Sequence, residues 1–267
     1  MTALSDVAIP IVSYHHRDFL LDDLQTLKQD SRISVCIPAR DEETTIGPIV
    51  ESVSRELVLA AGLVDDLLVI DDGSTDATAS VALGAGARVV AVSDTAGSRA
   101  GKGAAMRKGV AETSGDIVVF LDGDVQSFGT HFVTGLLGAL LCRPETMLVK
   151  ACYRRPLADS PTGGGRVTEL TARPVLALLF PELSGVVQPL AGEVAVRRRA
   201  LDDIELADGY GVEIGMLIDI ARCFGAGAIA QVDLEVRTHR NRPLHELAPQ
   251  ARDVLDVALR RAGLRVA

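Results

Sequence analysis

Four short apolar runs, separated by segments of helical spacing, set the limits on what this chain can fold into. Residues 33–38 (ISVCIP), 66–71 (DLLVID), 88–92 (RVVAV) and 116–121 (DIVVFL) read as strands: each is short and rich in β-branched residues. Residues 44–60, the stretch ending near Gly84 and Gly86, and residues 104–112 carry apolar positions near a helical period, and Asp76 can cap the second of these. Strand and helix therefore alternate through residues 33–121. That order predicts an α/β fold with a mostly parallel sheet and helices on both faces. Strands covered on both sides show continuous apolar runs in place of strict alternation, as these do.

The rest is less regular. Residues 1–32 are polar and irregular apart from an amphipathic stretch at 19–27, and are expected to form an N-terminal arm. Helices are expected at 128–141, 210–224 and 244–265, and strands at 146–152 and 229–238. A glycine-rich turn at Gly163–Gly165 precedes an apolar segment, 167–180, which Pro174 interrupts. No repeat or long linker divides residues 33–267, which are expected to form a single domain. The balance of 27 basic and 36 acidic residues gives a net charge of −9 with no basic tract, which argues against a nucleic-acid partner. The longest apolar runs, such as 136–142, fall far short of the ~20 residues that span a bilayer, and MTALSDVAIP lacks the pattern of a secretory signal, so no membrane partner is expected. Cys36, Cys142, Cys152 and Cys223 form no CxxC or zinc spacing and read as buried, reduced thiols of a cytoplasmic protein.

Open parallel sheets bind ligands beyond the carboxyl ends of their strands. Here those ends are acidic: Arg40-Asp41-Glu42 follows the first strand, Asp71-Asp72 the second and Asp122-Gly123-Asp124 the fourth. In extended backbone, residues two apart project to one side, so Asp122 and Asp124 face one point across a glycine. Hard divalent cations such as Mg²⁺ or Mn²⁺ take oxygen ligands of this kind, while the same tripeptide is also an ordinary turn. Asp72 can accept hydrogen bonds from a base or ribose. Lys102, between Gly101 and Gly103, offers a phosphate contact at a helix start, or is a solvated loop lysine. Arg166 beside the glycine-rich turn offers a planar fork for phosphate or carboxylate. Glu213 opens an apolar helix, as a sugar-hydroxyl acceptor or as a charge favouring the helix dipole. Neither GxxxxGK[ST] nor a correctly placed GxGxxG is present.

PARDEETTIG, IDDGSTDAT, GKG and FLDGDV, in that order, resemble the donor half of a GT-A glycosyltransferase. YRRPL, GGGRVTELTARPVLALLFPELSGVVQPLAGE, GYGVEIG and VRTHRNRPL are similar to the glucosyl-3-phosphoglycerate synthase family, over roughly residues 33–250. The resemblance implies a GT-A fold with a nucleotide-sugar-binding half at 33–127 and an acceptor-binding half at 128–267. It implies retaining, metal-dependent transfer of glucose from UDP-glucose to the 2-hydroxyl of 3-phosphoglycerate, by a homodimer. Pro38, Ala39, Arg40, Asp41, Glu42, Asp72 and Lys102 would line the uridine pocket. Asp124 and His239 would hold the Mg²⁺ or Mn²⁺, with Asp122 and Gly123 beside the sugar. Glu213 and the Leu190 backbone would hold the glucose, and Gly165, Arg166, Val167, Thr168 and Asn241 the acceptor. Glu213, Asp122 and Lys102 would carry the chemistry. The chain departs from the family pattern at Asp72 and Gly123, where many members carry serine. Alternatives are a GT-A enzyme using a GDP-sugar, glycerate or polyprenyl phosphate, a nucleotidyltransferase, and a non-catalytic nucleotide-sugar sensor.

Overall fold

The apolar runs become strands because apolar layers cover both of their faces. The computed structural model describes residues 11–92, 101–157, 160–238 and 243–265. In chain order the elements are β1 (Val12–His15), α1 (Leu21–Lys28), β2 (Ile33–Ala39), α2 (Ile46–Ser52), β3 (Asp66–Asp71), α3 (Thr78–Gly84), β4 (Arg88–Ala91), α4 (Lys102–Glu112), β5 (Ile117–Phe120), α5 (His131–Leu141), β6 (Leu148–Arg154), β7 (Pro156–Leu157), β8 (Ser160–Gly163), α6 (Arg173–Leu179), β9 (Val194–Arg197), α7 (Arg198–Asp202), α8 (Val212–Phe224), β10 (Ile229–Val236) and α9 (Leu247–Arg261). Val35, Ile37 and Val119 pack into one core with Ile46, Ile49, Phe132 and Leu136. Their strand neighbours Cys36, Val118 and Phe120 pack into a second core with Ala105, Met106, Met216 and Leu217. Each such aliphatic side chain contributes about 1.5–3 kcal/mol on burial, which is why this half of the sequence is readable as strands.

The main sheet has eight strands in the order β1-β10-β6-β9-β5-β2-β3-β4. All neighbours are parallel except β9, which runs antiparallel to both β5 and β6. The sequence reading contains neither β1 nor β9: both are four residues long, and both lie outside the strand–helix alternation that makes the equally short β4 and β5 readable. The expected N-terminal arm is thus in part a structural element. β1 adds a parallel edge strand to β10, and the turn after it is fastened by Arg17 Nη2 to Glu235 Oε1 at 2.5 Å and by His16 Nε2 to the same oxygen at 3.3 Å.

Two further expectations are corrected. Pro174 does not interrupt its helix. A wide turn over Thr168–Ala172, with i→i+5 bonding, runs into α6 with Pro174 in the first turn, where its missing N–H disturbs least. The thiols are not uniformly buried. Cys36 is, but Cys152 is partly exposed, and Cys142 and Cys223, at the ends of α5 and α8, face solvent; all four are free. Among the described residues no helix is long and apolar enough to cross a membrane.

Lys150 lies inside the sheet on β6, fully buried, with Nζ donating to the Ala191 carbonyl at 2.6 Å. Burial pushes its ammonium down from 10.5 to about 8, against the pull of Glu213. Between those two values the unfolded chain holds a proton that the folded chain has released, so this residue makes stability rise as pH rises. Comparison of wild type with Lys150→Met by denaturant unfolding tests this. From pH 7 to pH 10 wild type is expected to gain about 2–3 kcal/mol over the variant. Parallel pH profiles would remove Lys150 from the account.

Candidate active site

The chain runs outward through β2, β3 and β4, then returns to lay β5 on the other side of β2. The switch point of the sheet therefore lies between β2 and β5, where a cleft opens at the carboxyl ends. Pro38 and Ala39 meet Asp122-Gly123-Asp124 at that point. A Cβ on Gly123 would sit 3.4 Å from both the Ala39 Cβ and the Pro38 carbonyl oxygen, and Thr45 Oγ1 donates to the Gly123 carbonyl at 2.7 Å. Because β9 is antiparallel, it presents its amino end here: Val194 pairs with Phe120, which delivers residues 188–193 to the same edge. β10, on the far side of β6, ends at the same edge and hands on Arg237.

The carboxylates collected here are held by two cations. Arg237 Nη2 bridges Asp122 Oδ2 at 2.7 Å and Asp124 Oδ1 at 2.8 Å, while its Nε donates to Glu193 Oε1 at 2.7 Å. Asp122 and Asp124 do face one point, and a guanidinium stands there. Lys102 Nζ pairs with Asp122 Oδ1 at 2.5 Å and with Glu213 Oε1 at 2.6 Å. Burial alone would lower Lys102, but the two carboxylates override it and hold the ammonium well above the usual lysine value. Asp122 is likewise buried, yet Lys102 and Arg237 hold it well below the usual carboxylate range. Asp124 goes the other way: burial raises it in spite of Arg237, and Asp122 and Glu193 add to the rise. Lys102 is thus neither a loop lysine nor unengaged; it is a partly buried, doubly paired ammonium at the first residue of α4.

A single cleft of about 590 Å³ is lined by Pro38, Ala39, Arg40, Asp41, Glu42, Asp72, Lys102, Asp122, Gly123, Asp124, Gly165, Arg166, Val167, Thr168, Leu190 and Glu213. His239 and Asn241 lie outside the described residues. Some of these side chains also brace the cleft wall. Asp41, in a left-handed conformation at φ 55, accepts from the Thr75 N–H at 2.8 Å and so ties the loop after β2 to the loop after β3. Asp72 accepts from the Gly101 N–H at 3.3 Å, ahead of α4. Gly163 and Gly165 both have positive φ, 108 and 72, which shapes the turn before Arg166.

The donor set fits a hard divalent cation. Asp124 is a partly buried carboxyl with a raised pKa, next to a second carboxylate, and it shares its guanidinium with Asp122 and Glu193. The sequence model of glycosyl transferase family 2 matches residues 34–163. The glucosyl-3-phosphoglycerate synthase of Petrotoga mobilis is 47% identical over 93% of this chain and 80% of its own. The crystal structure of the Mycobacterium tuberculosis synthase with Mn²⁺, UDP-glucose and phosphoglyceric acid superposes with a TM-score of 0.89, at 46% identity, over 97% of this chain and 90% of that one. Its complex with Mg²⁺ and UDP gives 0.88 at 45%, over 96% and 88%. This chain belongs to the glucosyl-3-phosphoglycerate synthase family.

Within this glucosyl-3-phosphoglycerate synthase fold, the sequence reading assigns no role to Arg237, Glu193, Tyr153 or Arg155. Arg237 falls in VRTHRN, two residues before His239, and Glu193 is a lone acid in an apolar stretch, so a signal existed for each. Gly192 was also passed over, and it is where the site has no room. A Cβ there would overlap Asp122 Oδ1 and Lys102 Nζ. Both are ends of flexible side chains, so Gly192→Ala is expected to fold while losing at least 100-fold in UDP release from UDP-glucose. Full activity with a native circular dichroism spectrum would show that the Lys102–Asp122 contact is dispensable.

Proposed function

We propose that the chain transfers glucose from UDP-glucose to the 2-hydroxyl of 3-phosphoglycerate, with retention at the anomeric carbon. The observation that carries this is the one cleft that the Asp122–Lys102–Glu213 cluster and the Gly165–Thr168 turn both line. The UDP-glucose, phosphoglyceric acid and metal bound by the M. tuberculosis relative support the same reading.

The bond from the anomeric carbon to the β-phosphate oxygen breaks, and a bond from that carbon to the acceptor oxygen forms. The acceptor proton passes to the departing phosphate oxygen, so the new bond forms on the face the UDP leaves. No side chain among those lining the cleft is needed as a nucleophile. Lys102, fixed between Asp122 and Glu213, keeps its charge beside the sugar-phosphate bond and opposes the negative charge that develops there. Glu213, in the first turn of α8 and buried, presents its carboxylate to sugar hydroxyls. Arg166 and the turn before it orient the acceptor. Asp124 and His239 would hold a divalent cation that offsets the charge of the leaving diphosphate, with Asp122 beside the sugar.

We also propose a cytoplasmic homodimer. The free thiols and the exposed Leu170 and Leu178, on the segment that ends in α6, support it, and light scattering reads the mass.

UDP release from UDP-glucose with Mg²⁺ or Mn²⁺, measured with 3-phosphoglycerate, with glycerate and without acceptor, tests the reaction. Strong dependence on 3-phosphoglycerate is expected; turnover with glycerate alone would change the acceptor. Glu213→Gln is expected to lose about 10²–10³-fold in turnover while still binding UDP. Unchanged turnover would take Glu213 out of the site.

A further inference from the structure

A second guanidinium, unused by the mechanism above, faces the glycine-rich turn. Arg155 follows β6 directly and lines the cleft with Gly165, Arg166 and Thr168. The turn is built against it. The Gly164 N–H donates to the Arg155 carbonyl at 3.1 Å, and a Cβ on Gly164 would come within 2.7 Å of the Arg155 Cβ. A Cβ on Gly165 would lie 3.3 Å from Cδ and 3.5 Å from Nη1. Bare backbone at both positions is what lets the guanidinium lie along the turn.

The side chain is clamped from behind. Nη2 donates to the Tyr153 hydroxyl at 2.8 Å, and the guanidinium carbon stands 4.9 Å over the Tyr153 ring. That hydroxyl gives its own proton to Glu193 Oε2 at 2.6 Å, so its lone pair is free to accept from Arg155. The Nε–H, in contrast, is buried with no hydrogen-bond partner, and among the described residues no carboxylate pairs with Arg155. A buried donor without a partner costs about 1–3 kcal/mol, and more when charged. The guanidinium, preorganised by that clamp and lining the cleft, is a built anion contact through its terminal nitrogens.

Charge balance says which anion. A phosphate monoester carries about −1.5 to −2 at neutral pH, more than one guanidinium offsets. The cleft also carries Asp122, Asp124 and Glu213, which already engage Lys102 and Arg237, so those two cations are not free for an anionic acceptor. Two planar forks lining one cleft, on Arg155 and Arg166, match a dianion.

We propose that Arg155 binds the phosphate of the acceptor together with Arg166, and so sets the preference for phosphoglycerate over glycerate. This rests on the glucosyl-transfer reading above. Arg155 is then a specificity residue: it contacts the acceptor and leaves the donor alone.

Steady-state kinetics of wild type, Arg155→Gln and Arg155→Lys decide it. Arg155→Gln is expected to raise the KM for 3-phosphoglycerate about 10- to 100-fold, to leave the KM for UDP-glucose within about 3-fold, and to leave kcat/KM for glycerate within about 3-fold. Arg155→Lys keeps charge without the fork and is expected to fall between. Inorganic phosphate should compete with 3-phosphoglycerate in wild type and lose that effect in Arg155→Gln. An unchanged KM for 3-phosphoglycerate overturns the proposal, and so does an equal loss with glycerate, which would place Arg155 on the carboxylate. If Arg155→Gln does not melt cooperatively, Arg155→Lys carries the same comparison. A wild type that transfers no glucose to 3-phosphoglycerate defeats the functional reading instead. Calorimetric binding of inorganic phosphate to the wild type and Arg155→Lys proteins would then still decide whether Arg155 is an anion contact.

Discussion

The site depends on one guanidinium placed among three carboxylates. Arg237 reaches Asp122, Asp124 and Glu193, each within 2.8 Å, and is itself almost completely buried. None of these four groups could be buried alone, because an ion taken out of water without a partner costs several kcal/mol. Together they are tolerable, and their mutual dependence is strict: removing one partner of a buried pair typically costs about 3–5 kcal/mol. Lys102 extends the same arrangement to Glu213. The residues come from β5, α4, α8 and the ends of β9 and β10, so the charge pattern of the cleft forms only when the whole carboxyl edge of the sheet has formed. Site and fold share a single set of contacts here.

That arrangement also divides the labour among the acids. Asp122 is held firmly ionised by two cations, whereas Asp124 has one shared guanidinium and keeps an elevated pKa. Asp124 is therefore the carboxyl with most to gain from further positive charge. Lys102 is in the opposite position: its charge is secured by two anions, so it can stand beside a departing phosphate without losing its proton in the low-dielectric interior. Fixed charges that need no reorganisation at the moment of bond breaking are what an electrostatic mechanism requires.

The donor half of this architecture was legible because it is written redundantly. β2, β3 and β5 each announce themselves by an apolar run, and each ends in acids where a parallel sheet puts its ligand. The acceptor half rested on resemblance, since a glycine-rich turn and one arginine admit many readings. β1 and β9 were illegible for a physical reason. Both lie outside the strand–helix alternation that makes the equally short β4 and β5 readable, and what makes Val194–Arg197 a strand is the pair of neighbours it finds in β5 and β6, far away in sequence. Arg237 and Glu193 left a signal without a role for a related reason: each is one polar residue whose meaning lies in its partner. Lys150 did leave a mark, a lysine inside an otherwise apolar strand, but only the fold shows that it supports the carbonyl of Ala191.

β9 explains how one edge of a parallel sheet can serve two substrates. A purely parallel sheet delivers only carboxyl ends to its cleft, each followed by a loop that must turn back over a helix. The single reversed strand instead brings in a segment that enters the cleft before it pairs. Residues 188–193 are held on the far side by Gln188 Nε2 on the Tyr153 carbonyl and by Lys150 on the Ala191 carbonyl. They carry Leu190 into the cleft wall, Gly192 under Asp122 and Lys102, and Glu193 to a position where it accepts from both Arg237 and Tyr153. Arg237 belongs to the donor side and Tyr153, through Arg155, to the acceptor side. One carboxylate just ahead of the reversed strand therefore ties Arg237 to Tyr153.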